Sequence, residues 1–271
     1  MESFLNKYRY SLILLRELVI TEFKLRYQGS ILGYLWSVMR PLFLFMIMYV
    51  VFVYFLQIGG DVPFWPVQLL LGIVLWNFFS EVTNNGVGSI VGRGDVIRKI
   101  NFPKYVIVVA SSISAFINLL INLVVIFIFM AVSGVELQWQ ILLAPLFILE
   151  LFVFALGLAL LLSALFVRIR DVNYIWEIIM QGLFYSSVVI YPITLVLAKG
   201  EFFGQLLLLN PVAQAIQDAR YALISSDAIT LVKLSGERWY LILIPISIVI
   251  ITAIVGAYVF KKRSPTFAED V

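Results

Sequence analysis

A basic stretch, residues 92–105, forms an island of charged side chains in a strongly apolar part of this sequence. It holds four cations and a single anion, Asp95, and it lies between two strongly apolar segments. The cations are Arg93, Arg98, Lys99 and Lys104. Such a loop must lie in water, and its positive charge predicts the cytoplasmic side of a membrane. Two interpretations are open: the loop only orients the chain, or it docks a soluble partner that passes force into the membrane.

Nucleophilic and metal chemistry have few candidates in this chain. It contains no Cys and no His, which excludes thiolate nucleophiles, Ser-His-Asp triads and Cys or His ligands for zinc. It also lacks the G-x-x-x-x-G-K-[ST] loop that cradles ATP phosphates. We therefore expect no catalytic residue, no metal site and no cofactor here. If the protein transports actively, its energy must come from another subunit.

Acidic side chains are scarce at membrane depth. Only Glu150 lies well inside a predicted span. A charged carboxylate there costs about 2.5 kcal/mol or more, so it must be paired, hydrated or protonated. Either Glu150 reaches the outer interface or it belongs to a proton relay, for which one acid gives little support. Glu177 and Asp171 lie near the inner boundary, where Arg168 or Arg170 could pair with them.

Composition predicts an all-α integral membrane protein, a single transmembrane domain over residues 1–271. The chain is 62% hydrophobic and 13% charged, whereas soluble domains average about 45–50% and 25%. A helix of roughly 20 residues crosses a ~30 Å hydrocarbon core, and the apolar runs predict six such spans. The predicted spans are 38–58, 65–80, 106–132, 141–167, 174–192 and 239–260.

The distribution of charge predicts the orientation. Fifteen of the nineteen Lys and Arg residues lie on the cytoplasmic side if both termini are cytoplasmic. Residues 193–225 are too broken for a span and predict two short helices at the outer leaflet, where protein or water must cover their ends.

The N-terminal residues 1–33 predict an amphipathic interfacial helix, with a soluble cytoplasmic tail as the alternative. Basic side chains fall largely off its apolar seam. The seam consists of Leu5, Tyr8, Leu12, Leu15, Val19 and Phe23.

Ordered motifs along nearly the whole chain resemble those of a known family. They are RYQGSILGYLW (26–36), Arg40-Pro41, WNFFS (76–80), IRKINFP (97–103), Arg170-Asp171-Val172, Tyr191-Pro192, and Asn210-Pro211 with Arg220. No single motif is diagnostic, but together they resemble polysaccharide-export ABC transporter permeases. That family includes the O-antigen exporter membrane subunit Wzm and the teichoic-acid exporter subunit TagG.

The resemblance implies a transport subunit of the bacterial cytoplasmic (inner) membrane, not an enzyme. Two copies of the chain would form the pore, and two ATPase subunits, carrying ATP and Mg²⁺, would dock below. The cargo would be a glycan on a polyprenyl diphosphate, such as an O-antigen. Residues 92–105 would include the coupling helix, and residues 193–225 would form outer gate helices. The implied coupling residues are Arg93, Asp95, Arg98, Lys99, Phe102 and Pro103.

Aromatic rings and cations supply candidate contacts for such a cargo. Sugar C–H faces can pack on aromatic rings, which offer a large amphipathic surface. The candidate rings are Tyr34, Trp36, Tyr49, Tyr54, Trp76, Tyr185 and Tyr191. The candidate cations for the diphosphate are Arg26, Arg40 and Arg168. Taken singly, each ring could belong to an interfacial belt or to packing, and each cation to the orientation signal alone.

Other functions stay open on sequence grounds. The same fold could export teichoic acid, capsule, a drug or a simple lipid, and a channel or scramblase would need no nucleotide. An intramembrane lipid-processing enzyme is disfavoured by the lack of Cys and His. We expect no nucleic acid among the partners.

Overall fold

A computed structural model describes residues 12–22, 24, 30, 32–33, 35–100, 102–236 and 238–270. All regular elements in this part of the chain are helices, which confirms the predicted all-α class. In order, the α-helices are α1 (12–22), α2 (Leu35–Met48), α3 (Trp65–Ser89), α4 (Gly94–Lys99), α5 (Tyr105–Val132), α6 (Ala144–Phe166), α7 (Val172–Ser186), α8 (Thr194–Leu197), α9 (Glu201–Leu208), α10 (Pro211–Leu223), α11 (Leu231–Ser235), α12 (Leu243–Arg263) and α13 (Phe267–Asp270). A π-helix, Tyr49–Phe55, continues α2.

Within the described residues, five helical segments are long and apolar enough to cross a membrane. They are Leu35–Phe55, Trp65–Ser89, Tyr105–Val132, Trp139–Phe166 and Tyr240–Asp270. They correspond to the first four predicted spans and to the sixth.

The predicted fifth span, 174–192, differs from the other five. It is occupied by α7, a helix of 15 residues. At 1.5 Å per residue α7 is about 22 Å long, shorter than a hydrocarbon core of roughly 30 Å. The chain leaves the helix at Ser187 and runs through turns to Tyr191. A crossing at this position stays a prediction.

Helix α3 lies at the centre of the bundle because it is apolar on almost every side. Leu69, Leu71 and Phe79 are fully buried. It packs against α5 and α6 along much of its length, and also against α2 and α10. This placement makes α3 the wall shared by the inner and outer polar regions described below.

Small residues bring the long helices into backbone contact. A Cβ on Gly256 of α12 would lie 2.1 Å from the carbonyl oxygen of Gly157 on α6. A Cβ on Gly86 of α3 would lie 2.5 Å from the Cβ of Ala159 on α6. Such close approaches are typical of helices packed in membranes, where apolar side chains gain little by leaving lipid.

The outer region 193–225 contains α8, α9 and α10, whereas two short helices were predicted at the leaflet surface. Helix α10 is buried between α6 and α3 over almost its whole length. Asn210 caps it, because its side-chain oxygen accepts a hydrogen bond from the Val212 amide at 3.0 Å. Protein therefore covers α10, as a membrane requires of broken segments, whereas α8 and α9 are mostly exposed or half-buried. The role of the region as a gate stays a prediction.

The N-terminal helix prediction falls partly outside the described residues, which include only 12–22 as a helix. In α1, Leu14 and Leu18 pack against the main core. Leu12, which was predicted on the apolar seam, is exposed. The face of α1 that packs on the core therefore differs from the predicted apolar seam. The position of α1 at the membrane interface stays a prediction.

The two glycines of the last turns of α3 offer a matched test of the α3–α6 contact. Gly86→Ala should lower the free energy of unfolding by about 1–3 kcal/mol, because its Cβ overlaps Ala159. Gly88→Ala meets no atom within 4 Å and should be neutral or stabilising by up to about 1 kcal/mol. Thermal unfolding of the purified protein in detergent measures both. Equal shifts would contradict the contact.

Candidate functional site

A polar cavity of about 560 Å³ lies between α2, α3 and α5. Five asparagine side chains line it: Asn77, Asn84, Asn85, Asn118 and Asn122. The wall also carries Trp36, Ser37 and Ser80, and its charged side chains are Arg40 and Glu81. We call this cavity the asparagine cleft. The lining residues come from the start of α2, the second half of α3 and the middle of α5, so the cleft opens towards the α4 end of the bundle.

Hydrogen bonds across the cleft hold its walls together. Asn122 Nδ2 donates to the carbonyl oxygen of Ser37 on α2 at 3.2 Å and to that of Asn118 at 2.8 Å. Asn118 Nδ2 donates to Glu81 Oε2 on α3 at 2.9 Å. These bonds join α5 to both neighbouring helices. Polar side chains inside a helical bundle commonly serve in this way.

Two asparagines of the cleft are free for a ligand. Asn77 and Asn85 form no hydrogen bond with another residue in the described part of the chain. Each amide offers two donors and one acceptor oxygen. With one cation and one anion on the wall, the lining is close to neutral. This chemistry suits an uncharged, hydroxyl-rich ligand, and the ring of Trp36, 43% exposed, adds a surface on which a sugar can pack.

The structure brings two of the predicted site residues, Trp36 and Arg40, into the cleft. Trp76 is buried elsewhere in the core, with its ring 5.3 Å from that of Phe184 and 5.7 Å from that of Phe79. Its indole therefore does not lie on the cleft wall.

The remaining aromatic candidates lie away from the cleft. Tyr49 and Tyr54 lie on the π-helix and are exposed. Tyr185 is also exposed, and its carbonyl oxygen accepts a hydrogen bond from the Tyr191 hydroxyl at 2.6 Å. Their contact with a cargo stays a prediction.

The diphosphate candidates are separated as well. Arg40 is exposed at the cleft, whereas Arg168 is exposed just beyond the end of α6. Arg26 and the ring candidate Tyr34 lie outside the described residues.

Sequence reasoning missed the asparagines, although a signal was present. Asn77 and Asn84 stand seven residues apart on α3, with Glu81 between them, and Asn118 and Asn122 are four apart on α5. Both spacings place side chains on one face of a helix. Amides repeated on one face of an otherwise apolar span predict a polar surface towards the interior of the bundle.

The predicted coupling loop folds into a 3₁₀ turn, Val91–Arg93, followed by α4. Asp95, Arg98 and Lys99 are exposed on α4, and Arg98 Nη2 donates to Asp95 Oδ1 at 3.2 Å. Ile97 of the same helix is buried. Helix α4 therefore turns a charged face outward and an apolar face towards the bundle.

Three coupling candidates contact their own chain. Phe102 is buried, and its role in coupling stays a prediction. Arg93 forms an ion pair with Glu22 of α1. Pro103 is half-buried in the link between α4 and α5.

At the opposite end of the bundle, Arg220 of α10 is completely buried. Its Nε donates to the carbonyl oxygen of Gln68 on α3 at 3.1 Å. Its Nη1 donates to Val188 O and to Gln217 Oε1, both at 2.9 Å, and its Nη2 donates to Val189 O at 3.0 Å. Among the described residues no carboxylate pairs with it. We call this arrangement the Arg220 clamp.

Neighbouring residues are shaped around the clamp. A Cβ on Gly72 of α3 would lie 2.7 Å from Arg220 Nη2, so glycine leaves room for the guanidinium. The Arg220 Cζ atom lies 5.2 Å from the centroid of the Trp65 ring, a cation–π contact. Val188, whose carbonyl the clamp holds, has φ of 54°, a left-handed conformation that β-branched residues rarely adopt. The clamp therefore fixes a strained segment after α7.

Glu150 faces α10. Gln214 Nε2 lies 3.5 Å from Glu150 Oε2 and donates to Asp218 Oδ2 at 2.8 Å. One amide thus lies between two carboxyl groups from different helices. The contact links α6 to α10, and the approach of Glu150 to the outer interface stays a prediction.

Comparison with known proteins shows a match to the family model described as ABC-2 type transporter over residues 13–224. The chain is 31% identical over 165 residues to the O-antigen export system permease protein RfbA of Klebsiella pneumoniae, covering 59% of this chain and 62% of that protein. It is 30% identical over 152 residues to the protein of the same name from Myxococcus xanthus, covering 56% and 58%. The chain thus spans about three-fifths of the length of these relatives.

The Arg220 clamp is testable by a substitution that keeps its charge. Arg220→Lys has a single nitrogen and cannot serve carbonyl groups on both α3 and the segment after α7. Each buried acceptor left without a donor should cost about 1–3 kcal/mol. Arg238→Lys, at an exposed position, is the matched control. Thermal unfolding in detergent should show a large loss for the first variant only, and similar curves would refute the clamp.

Proposed function

The chain belongs to the ABC-2 type transporter family, and from that premise we propose that it is the permease subunit of an ATP-driven exporter of lipid-linked polysaccharide, such as O-antigen. The family match confirms the resemblance read from the motifs. The relatives that support the cargo are permeases of O-antigen export systems. The observation that carries the proposal is the asparagine cleft.

The chemistry of the cleft fits a glycan better than a lipid tail or an anion. A glycan chain offers many hydroxyl groups, each of which donates and accepts hydrogen bonds, as an amide does. The free amides of Asn77 and Asn85 face the cavity, and Trp36 supplies a ring for the apolar face of a sugar. An apolar cargo would leave these amides unpaired, at a cost of about 1–3 kcal/mol each.

Energy enters through α4 in this proposal. The chain has no phosphate-binding loop of its own, and ATP with Mg²⁺ would bind to a separate ATPase, one for each permease copy. Val96 and Ile100 are exposed beside Arg98 and Lys99. An exposed apolar pair beside two cations is suited to the surface of a protein partner.

A second copy of the chain would complete the pore. The span Leu35–Phe55 is almost entirely unburied within one chain. Tyr174, Ile175 and Ile178 of α7 are exposed as well. These faces are available to lipid and to a partner copy. Six crossings, cytoplasmic termini and the inner membrane of a bacterium are parts of the same proposal.

Removing the free amides tests the cargo. The double variant Asn77→Leu, Asn85→Leu keeps the side-chain size but removes four amide donors and two acceptors. We expect at least a tenfold loss of ATP-dependent glycan export into inside-out vesicles, with the protein still folded. Asn173→Leu, at a half-buried position of α7 outside the cleft, is the control. Normal glycan export by the double variant would contradict a glycan path through the cleft.

Reversing charge on α4 tests the partner. Arg98→Glu with Lys99→Glu should abolish co-purification with the ATPase, because it repels whatever acidic surface the two cations meet. Lys261→Glu with Lys262→Glu makes the same change of charge at exposed positions near the end of α12 and should leave the complex intact. Unchanged complex formation by the α4 variant would refute docking at this helix.

A further inference from the structure

The residues after α12 fold back towards α4. The 3₁₀ turn Ser264–Thr266 leads into α13, and α13 packs against α4. Phe267 is 1% exposed, and its ring meets that of Phe260 edge-on at a centroid distance of 5.2 Å. We call residues 264–270 the C-terminal hook.

The hook holds the inner side of the coupling segment. Ile97 of α4 and Phe102 are buried, and α13, which carries Phe267, contacts α4. Lys104 Nζ donates to the carbonyl oxygen of Ser264 at 2.7 Å. The apolar face of α4 and the link that follows it are therefore both attached to the end of α12.

Helix α4 depends on such attachments for its position. It has six residues, and isolated helices shorter than about 12–15 residues are marginal in water. Its place is thus set by the chain that joins it to α3 and α5 and by two contacts, the Arg93–Glu22 ion pair on one side and the hook on the other. Of these two contacts, only the hook leads directly into a long membrane helix.

From the hook, a continuous set of packed elements reaches the outer region. Helix α12 packs along α6 more extensively than any other pair of elements in the described chain, with Gly256 against Gly157. Helix α6 in turn packs against α10, which carries the Arg220 clamp. Rigid helices in close contact can carry a displacement from the hook to α10.

We propose that Phe267 is a positioning residue that fixes α4 to α12, so that a movement of α4 is carried through α12 and α6 to α10. Loss of the ring would leave α4 able to bind its partner, because its exposed charged face is unchanged. It would loosen the attachment of α4 to α12, while the chain connections of α4 to α3 and α5 remain. The transport part of this inference rests on the proposed function, whereas the attachment of α4 does not.

The attachment is tested on the permease alone by amide hydrogen exchange. In Phe267→Ala, amides of residues 94–102 should exchange at least tenfold faster than in the unmodified protein, while those of α3 stay protected. Phe267→Leu, which keeps much of the apolar volume, should restore most of the protection. Glu269→Ala, an exposed position in the same short helix, should change nothing. Equal exchange in the Phe267→Ala and unmodified proteins would overturn the proposal.

The transport part is tested with the assembled complex by the ratio of glycan exported to ATP hydrolysed. Phe267→Ala should assemble and hydrolyse ATP within twofold of the unmodified complex, while this ratio falls at least fivefold. A proportional fall of both rates, or no fall in either, would overturn the assigned role. If the unmodified complex exports no glycan, the proposed function fails, and the exchange experiment still decides whether Phe267 holds α4.

Discussion

The outer half of this protein depends on the guanidinium of Arg220, which donates hydrogen bonds to backbone carbonyl groups that have no helical partner. The chain leaves helical structure after α7, and a polypeptide in an apolar environment cannot leave its carbonyls unpaired. Arg220 supplies donors to Val188, Val189 and Gln68 at once. Five donors in a rigid plane make arginine suited to this task, and a lysine ammonium is not. The burial of α10 and the glycine at position 72 follow from the need to seat this group.

Polar groups elsewhere in the bundle divide into those used for structure and those left free. Asn118 and Asn122 spend their donors on Glu81, Ser37 and the α5 backbone. Those bonds fix the distances between α2, α3 and α5. The free amides on the same wall then face a cavity of constant shape. A binding surface that is already ordered before the ligand arrives avoids part of the entropy lost on binding. In this cleft asparagines provide both the hydrogen bonds that hold the helices and the free amides that can contact a ligand.

Composition and charge predicted the class and five of the long helices, because both depend on hydropathy alone. The fifth predicted span could not be separated from the turns after it, since Val188, Val189 and Ile190 are as apolar as the helix and are buried by tertiary packing. Arg220 entered the sequence analysis as part of a motif, and only its neighbours in space reveal that it is buried. Phe102 was one of the implied coupling residues, and the sequence does not show that tertiary packing buries its ring. The asparagines could have been found from their helical spacing.

The contact of Gly157 with Gly256 has a mechanical consequence. Because no side chains interlock at this point, α6 and α12 can tilt about it while remaining in contact, which makes it a fulcrum. On α12 the arm towards Leu243 is about 20 Å and the arm towards Arg263 about 10 Å, at 1.5 Å per residue. A tilt that shifts the Arg263 end by one ångström would shift the Leu243 end by roughly two, so the displacement would be about twice as large at the outer end of the helix.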